Sequence, residues 1–130
     1  MIIGLGTDIV DNRRINDTLK KFGNKFKKRC FSDSEIKRSE KKFDEVNSFS
    51  KRYAAKEACA KALGTGLARG VFWKDIEVVN DKYGKPKIKL YNKALKILNK
   101  YSTYNVKIEV SLSDEKNYSI ANVIIFKDEN

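Results

Sequence analysis

Apolar and polar side chains alternate from Ile2 to Val10, with Ile3, Leu5, Thr7 and Ile9 on one face and Gly4, Gly6 and Asp8 on the other. That period of two predicts a first strand. The two glycines remove side chains beside Asp8, as happens where a ligand, or more commonly the backbone of a packed helix, comes close. Between Asp11 and Lys28 the spacing changes. Ile15, Leu19, Phe22 and Phe26 recur every three or four residues, an apolar stripe under a basic face, and Gly23 should divide the segment into two short helices. Ser32 followed by Glu35 is a capping-box pattern, predicting a helix to about Lys41. The longest helix is expected from about Asn47 to Leu63. Its alanines (Ala54, Ala55, Ala58, Ala60, Ala62) favour helix and let neighbours approach, and Gly64 is placed to end it.

The second half reads mainly as β. Ile76 to Val79 and Lys87 to Leu90 flank the turn formers Asn80 to Pro86, predicting a hairpin. Ala94, Leu95, Leu98 and Tyr101 predict a short helix, and Val106, Ile108, Val110 and Leu112 an alternating strand. After a turn at Ser113 to Asn117, Tyr118 to Phe126 is apolar on both faces, as in a central strand, and the polar tail Lys127 to Asn130 should fray. The expected class is α+β, with an antiparallel sheet packed on a long central helix, in one domain over residues 1–130.

Composition narrows the chemistry. The 130 residues include no histidine, which removes imidazole bases, Ser-His-Asp triads and histidine-bound zinc or iron. A metal would have to be held by oxygen, and a site with few carboxylates beside phosphate oxygens suits magnesium. Cys30 and Cys59 are too few for a disulfide framework and read as reduced, partly buried thiols. No run of residues is long and apolar enough for a membrane span, and the N-terminus lacks a basic leader, so a cytoplasmic location is the expectation. The net charge of +11 is uneven: residues 13–29 hold eight basic side chains against Asp17 alone. Such a block attracts anionic partners, whether nucleic acid, a lipid surface or an acidic protein, and charge alone does not choose among them.

Glu57 and Lys61 lie four residues apart on one helix face, with Tyr53 a turn earlier. By itself this is an ordinary surface pair. Lys56 and Lys61 flank Glu57, however, and Gly64-Thr65-Gly66 follows, where exposed amides could meet phosphate oxygens. No Walker or dinucleotide-binding glycine pattern is present.

Three segments carry a resemblance: Ile3-Gly4-Leu5-Gly6-Thr7-Asp8-Ile9-Val10, Phe31-Ser32-Asp33-Ser34-Glu35, and above all Lys51-Arg52-Tyr53-Ala54-Ala55-Lys56-Glu57-Ala58-Cys59-Ala60-Lys61 continuing to Gly66. With Gly84-Lys85-Pro86 and Val110 to Glu115, they resemble in order and spacing the holo-[acyl-carrier-protein] synthase family over nearly the whole chain. The resemblance implies the 4′-phosphopantetheinyl transferase superfamily fold, a homotrimer, and coenzyme A bound between subunits. It implies that Asp8 and Glu57 hold Mg²⁺ (Mn²⁺ is an alternative) and that Lys61 contacts the reacting phosphate or leaving group. Arg52, Lys61, Gly64, Thr65 and Gly66 would grip the coenzyme, with Gly84, Lys85 and Pro86 near its nucleotide end. Asp114 stands where some relatives have histidine, and is kept as a coenzyme-binding candidate without a histidine's role.

The reaction so implied moves the phosphopantetheine arm of coenzyme A to a serine of apo acyl carrier protein, releasing 3′,5′-ADP, in fatty acid biosynthesis. With no histidine to serve, Glu57 acting through a magnesium-bound water is the candidate base. Arg14, Lys25, Phe26 and Arg29 would then dock the acidic carrier. A nucleic-acid-binding module is the rival from another class; it has the charge but no recognition motif, so neither nucleic acid nor membrane is expected as partner.

Overall fold

The computed structural model describes residues 1–101 and 105–128. Strand β1 (Ile2–Asp11) leads into helices α1 (Asn12–Phe22) and α2 (Asn24–Cys30), which break at Gly23, and then α3 (Asp33–Glu40) and α4 (Glu45–Leu63). A 3₁₀ turn (Trp73–Asp75) opens the hairpin β2 (Ile76–Asn80) and β3 (Pro86–Leu90). Helix α5 (Asn92–Asn99) and strands β4 (Val106–Asp114) and β5 (Tyr118–Lys127) complete the chain. The three-stranded sheet has the order β1-β5-β4 with both pairings antiparallel, so the strand that is apolar on both faces is the central one. The hairpin is a separate sheet, with β3 lying against β4.

Helix α4 is the centre of the molecule. It packs against β1 and β5 and is buried almost all round, including Phe49, Ala54, Ala55, Ala58, Cys59, Ala60 and Leu63, as expected of a helix inside a core rather than on one. The glycines of β1 face it. A Cβ on Gly4 would lie 2.0 Å from the Ala62 carbonyl oxygen, and one on Gly6 only 1.8 Å from that of Ala58. The space beside Asp8 is therefore filled by helix backbone, and the alanines of α4 are what let it come so near.

Local signals set the element ends. Ser32 Oγ accepts from Glu35 N–H (3.2 Å) and Glu35 Oε1 accepts from Ser32 N–H (3.0 Å), completing the capping box. Helix α4 starts two residues before the expected Asn47 because Asp44 Oδ1 caps the Asn47 amide (3.0 Å). Asp11 at the end of β1 caps α1 through the Arg13 amide (2.9 Å), and buried Asn12 ties that helix to the start of β5 by accepting from Ser119 Oγ (2.8 Å) and to the β4–β5 turn by donating its amide to Asn117 O (2.8 Å). Lys127, expected in the frayed tail, belongs to β5 and donates its amide to Met1 O (2.8 Å); residues 129–130 lie outside the described residues. Tyr101 falls beyond α5, half exposed. No helix among the described residues is long and apolar enough to cross a membrane.

Two surfaces depart from the apolar-inside expectation. The second face of β1 is uncovered, with Leu5 65% and Ile9 61% exposed beside Ile124 of β5 at 37%. At its middle, Thr7 Oγ1 donates to Asn122 Oδ1 (2.8 Å). Phe22, read as part of the core stripe of α1, is half exposed and lines a groove instead.

Candidate active site

Asp8 and Glu57 sit on β1 and α4, elements brought together by the glycine contacts, and they line one cavity of about 140 Å³ with Arg14, Thr18, Phe26 and Tyr53. Lys61, one turn beyond Glu57, donates to Asp8 Oδ1 (3.0 Å) and to the Thr7 carbonyl (3.1 Å). The other carboxylate oxygen, Asp8 Oδ2, is buried without a hydrogen-bond partner. An unsatisfied buried oxygen costs ~1–3 kcal/mol, so Asp8 Oδ2 is open to a partner from outside the chain.

Burial first, then the negative charge of Asp8, raise the pKa of Glu57 above the usual carboxylate value, with Tyr53 and Lys61 opposing. Tyr53 is pushed up to about 12 by burial and by the Glu57 charge. Its ring is stacked on Trp73 at 4.4 Å between centroids and meets Phe26 at 6.0 Å. Among the described residues no three or more His, Cys, Asp or Glu side chains gather as a metal cluster. Two carboxylates, one with an unpartnered oxygen, fit a hard cation that draws its other ligands from phosphate and water.

The docking candidates fall beside this cavity. Lys25, Phe26 and Arg29 line a groove of about 490 Å³ with Thr18 and Phe22, and Phe26 and Thr18 are shared by both spaces. Arg14 stands in the carboxylate cavity itself.

Arg52 lies elsewhere. Buried on α4, it donates to Ser39 Oγ (3.2 Å) and Asn80 Oδ1 (3.1 Å) and faces a cavity of about 340 Å³ lined also by Lys37, Arg38 and Lys41. Asn80 in turn donates to Gly84 O (3.0 Å) in the β2–β3 turn. The structure thus joins Arg52 to Gly84, Lys85 and Pro86 through an asparagine that reads in the sequence only as a turn former. Asp114, at the end of β4, accepts from Asn47 Nδ2 (2.8 Å) and pairs with Lys51 (3.4 Å), apart from the carboxylate cavity.

At the end of α4 the structure differs from the sequence reading. The Gly64, Thr65 and Gly66 amides do not face solvent as phosphate donors. They turn back to the Lys61 and Ala60 carbonyls (3.0–3.2 Å), with Gly64 at φ 86°, because the last carbonyls of α4 need partners. Lys56, next to Glu57 in the sequence, does not share its cavity. It is wholly buried and paired with Glu35 Oε1 (2.8 Å).

The sequence matches the family model of the 4′-phosphopantetheinyl transferase superfamily over residues 4–123, and the chain belongs to that family. It is 48% identical over 127 residues to a holo-[acyl-carrier-protein] synthase of Phenylobacterium zucineum, covering 96% of this chain and 92% of that one. Its fold is similar to the crystal structure of the holo-[acyl-carrier-protein] synthase from Neisseria meningitidis, with a TM-score of 0.85, 38% identity, and coverage of 98% and 100%. It is likewise similar to the Helicobacter pylori synthase in complex with coenzyme A, with a TM-score of 0.79, 31% identity, and coverage of 94% and 99%.

Proposed function

We propose that this chain transfers the 4′-phosphopantetheine arm of coenzyme A to a serine of apo acyl carrier protein, serving fatty acid synthesis in the cytoplasm. The observation that carries the reading is the convergence of Asp8, Glu57 and Lys61, with one carboxylate oxygen buried and unpartnered, beside a basic, apolar-floored groove. Relatives named for this activity, one of them solved with coenzyme A, support it.

Asp8 and Glu57 would hold Mg²⁺, or Mn²⁺ in its place. That ion would supply positive charge to the diphosphate under attack. Lys61, half exposed at the mouth, offers its ammonium to the phosphate oxygens and to the charge that develops on 3′,5′-ADP as the phosphorus–oxygen bond to the leaving group breaks. The carrier serine oxygen forms the new bond to phosphorus. Glu57, at the cavity wall, is the candidate acceptor of the serine proton, reached through a water that the bound ion would hold. Arg14 is placed to steer the incoming carrier to the cavity, and Lys25, Arg29 and Phe26 to seat it in the adjoining groove. Arg52, Asn80 and the Gly84–Pro86 turn would take the nucleotide end.

The active unit would be a homotrimer. Its support is the uncovered sheet face of Leu5, Ile9 and Ile124, together with a cavity of about 660 Å³ on the same side lined by Ile9, Asp114 and Tyr118. A second copy seated there would bring Asp114 to a site that one protomer leaves open, with coenzyme A between subunits. The test is mass spectrometry of apo carrier protein incubated with this protein, coenzyme A and Mg²⁺. One serine should gain the arm, and Asp8→Ala and Glu57→Ala should stop the gain while leaving the protein folded. No mass shift with the wild type, or full transfer in excess chelator, would refute the reading.

A further inference from the structure

The most buried charges among the described residues take no part in the chemistry above. The side chains of Lys56 and Glu35 are both 0% exposed. The Lys56 ammonium donates to Glu35 Oε1 (2.8 Å), to the Trp73 carbonyl (3.2 Å) and to the Ile76 carbonyl, and lies 5.5 Å above the Phe31 ring. Glu35 Oε2 accepts from the Val78 amide (3.2 Å). Apart from the α3 cap and each other, both side chains spend their hydrogen bonds on one stretch of backbone, residues 73–78. A buried ion pair is weak evidence for stability, since apolar replacements of similar volume often serve as well or better. What such a pair does supply is register.

The gripped segment runs between the two halves of the coenzyme site. At its start, the Trp73 ring is stacked on Tyr53, which lines the cavity of Asp8 and Glu57. Past its end, Asn80 links Arg52 to the Gly84 carbonyl beside the basic cavity. Lys56 itself is the helix neighbour of Glu57 and lies one turn from Arg52. We propose that Lys56, with Glu35, is a positioning pair that fixes the span between the carboxylates at the diphosphate and the hairpin that holds the nucleotide. This rests on the coenzyme A reading given above. Neither side chain touches the coenzyme, so its loss should weaken coenzyme binding more than it slows transfer once coenzyme is bound.

Trp73 is the single tryptophan of the chain, so its fluorescence reports the gripped segment directly. The variants are the charge-free double Lys56→Met with Glu35→Gln, and Lys56→Arg, which keeps the charge but changes the reach and shape of the donor. For either variant that melts cooperatively, the expected result is a changed Trp73 emission and a KM for coenzyme A raised about tenfold or more. The Kd for 3′,5′-ADP should rise in parallel, with kcat at saturating coenzyme A within about threefold of wild type. A variant that melts at lower temperature but keeps the wild-type KM, Kd and emission would show a purely structural pair and overturn the proposal. Wild-type protein that binds neither coenzyme A nor 3′,5′-ADP would refute the functional reading and this inference with it; normal wild-type binding with unchanged variants would refute the inference alone.

Discussion

Replacing Gly6 by alanine adds one methyl group at the closest contact between β1 and α4. The new Cβ would stand 1.8 Å from the Ala58 carbonyl oxygen, 2.8 Å from its carbon and 2.9 Å from the Ala62 nitrogen, all of them backbone atoms that no rotamer change can move. To bring the first contact to even 3.0 Å, the strand must retreat by about 1.2 Å. Overpacking of a dense core costs ~1–3 kcal/mol, which lowers a urea midpoint by roughly 1 M for a domain of this size. The functional loss should exceed the structural one. Asp8 follows Gly6 on the same strand face and Glu57 precedes Ala58, so the retreat pulls the two carboxylates apart. A misplacement on the order of 1 Å can cost about 10²-fold in rate. Urea unfolding followed by fluorescence gives the first quantity, and carrier-modification rates for the folded variant give the second. A Gly6→Ala protein with the wild-type midpoint and a transfer rate within twofold would refute the claim that this contact sets the site.

Three further outcomes are expected. Lys25→Glu with Arg29→Glu should cut kcat/KM for the carrier protein by about tenfold or more at low salt while leaving the KM for coenzyme A within twofold, because both cations line the groove and neither lines the carboxylate cavity; steady-state kinetics with each substrate varied in turn checks it. Leu5→Lys with Ile9→Lys, on the uncovered sheet face, should convert a trimer in sedimentation equilibrium to a monomer, and an unchanged mass would remove the trimer from the account. For pH, the raised folded pKa of Glu57 means that the folded chain holds its proton longer than the unfolded one. Its contribution is therefore fully present below the ordinary value of 4.5 and lost as pH rises through the raised folded value. In chelator, the stability of wild type relative to Glu57→Gln should fall across that window, and a difference flat in pH would contradict the assigned environment.

Much of the fold was legible because its signals are local. The Ser32–Glu35 box, the break at Gly23, the stop at Gly64 and the alternation of Val106 to Leu112 each depend on neighbours within a turn or a strand. What was not legible depended on distant partners. The burial of Lys56 was not legible because its counterion, Glu35, lies 21 residues earlier and its acceptor carbonyls follow the helix. The Gly64–Gly66 amides looked free because the sequence does not display the carbonyls at the end of α4 that claim them. The strand period showed that Leu5 and Ile9 share a face but not that one protomer leaves it bare. The meeting of Asp8 with Glu57 was expected from family resemblance; the glycines of β1 and the alanines of α4 each signalled close packing in the sequence, but that they pack against each other is visible only in three dimensions.

The central claim is that one divalent ion is shared by a strand carboxylate and a helix carboxylate. Titration of Mn²⁺ into the protein with saturating 3′,5′-ADP, followed by electron paramagnetic resonance, measures this without relying on turnover. One Mn²⁺ per protomer should bind to the wild type, and Asp8→Asn and Glu57→Gln, each still folded by its melting curve, should each weaken that binding at least about tenfold. Undiminished Mn²⁺ binding in either variant would contradict the account.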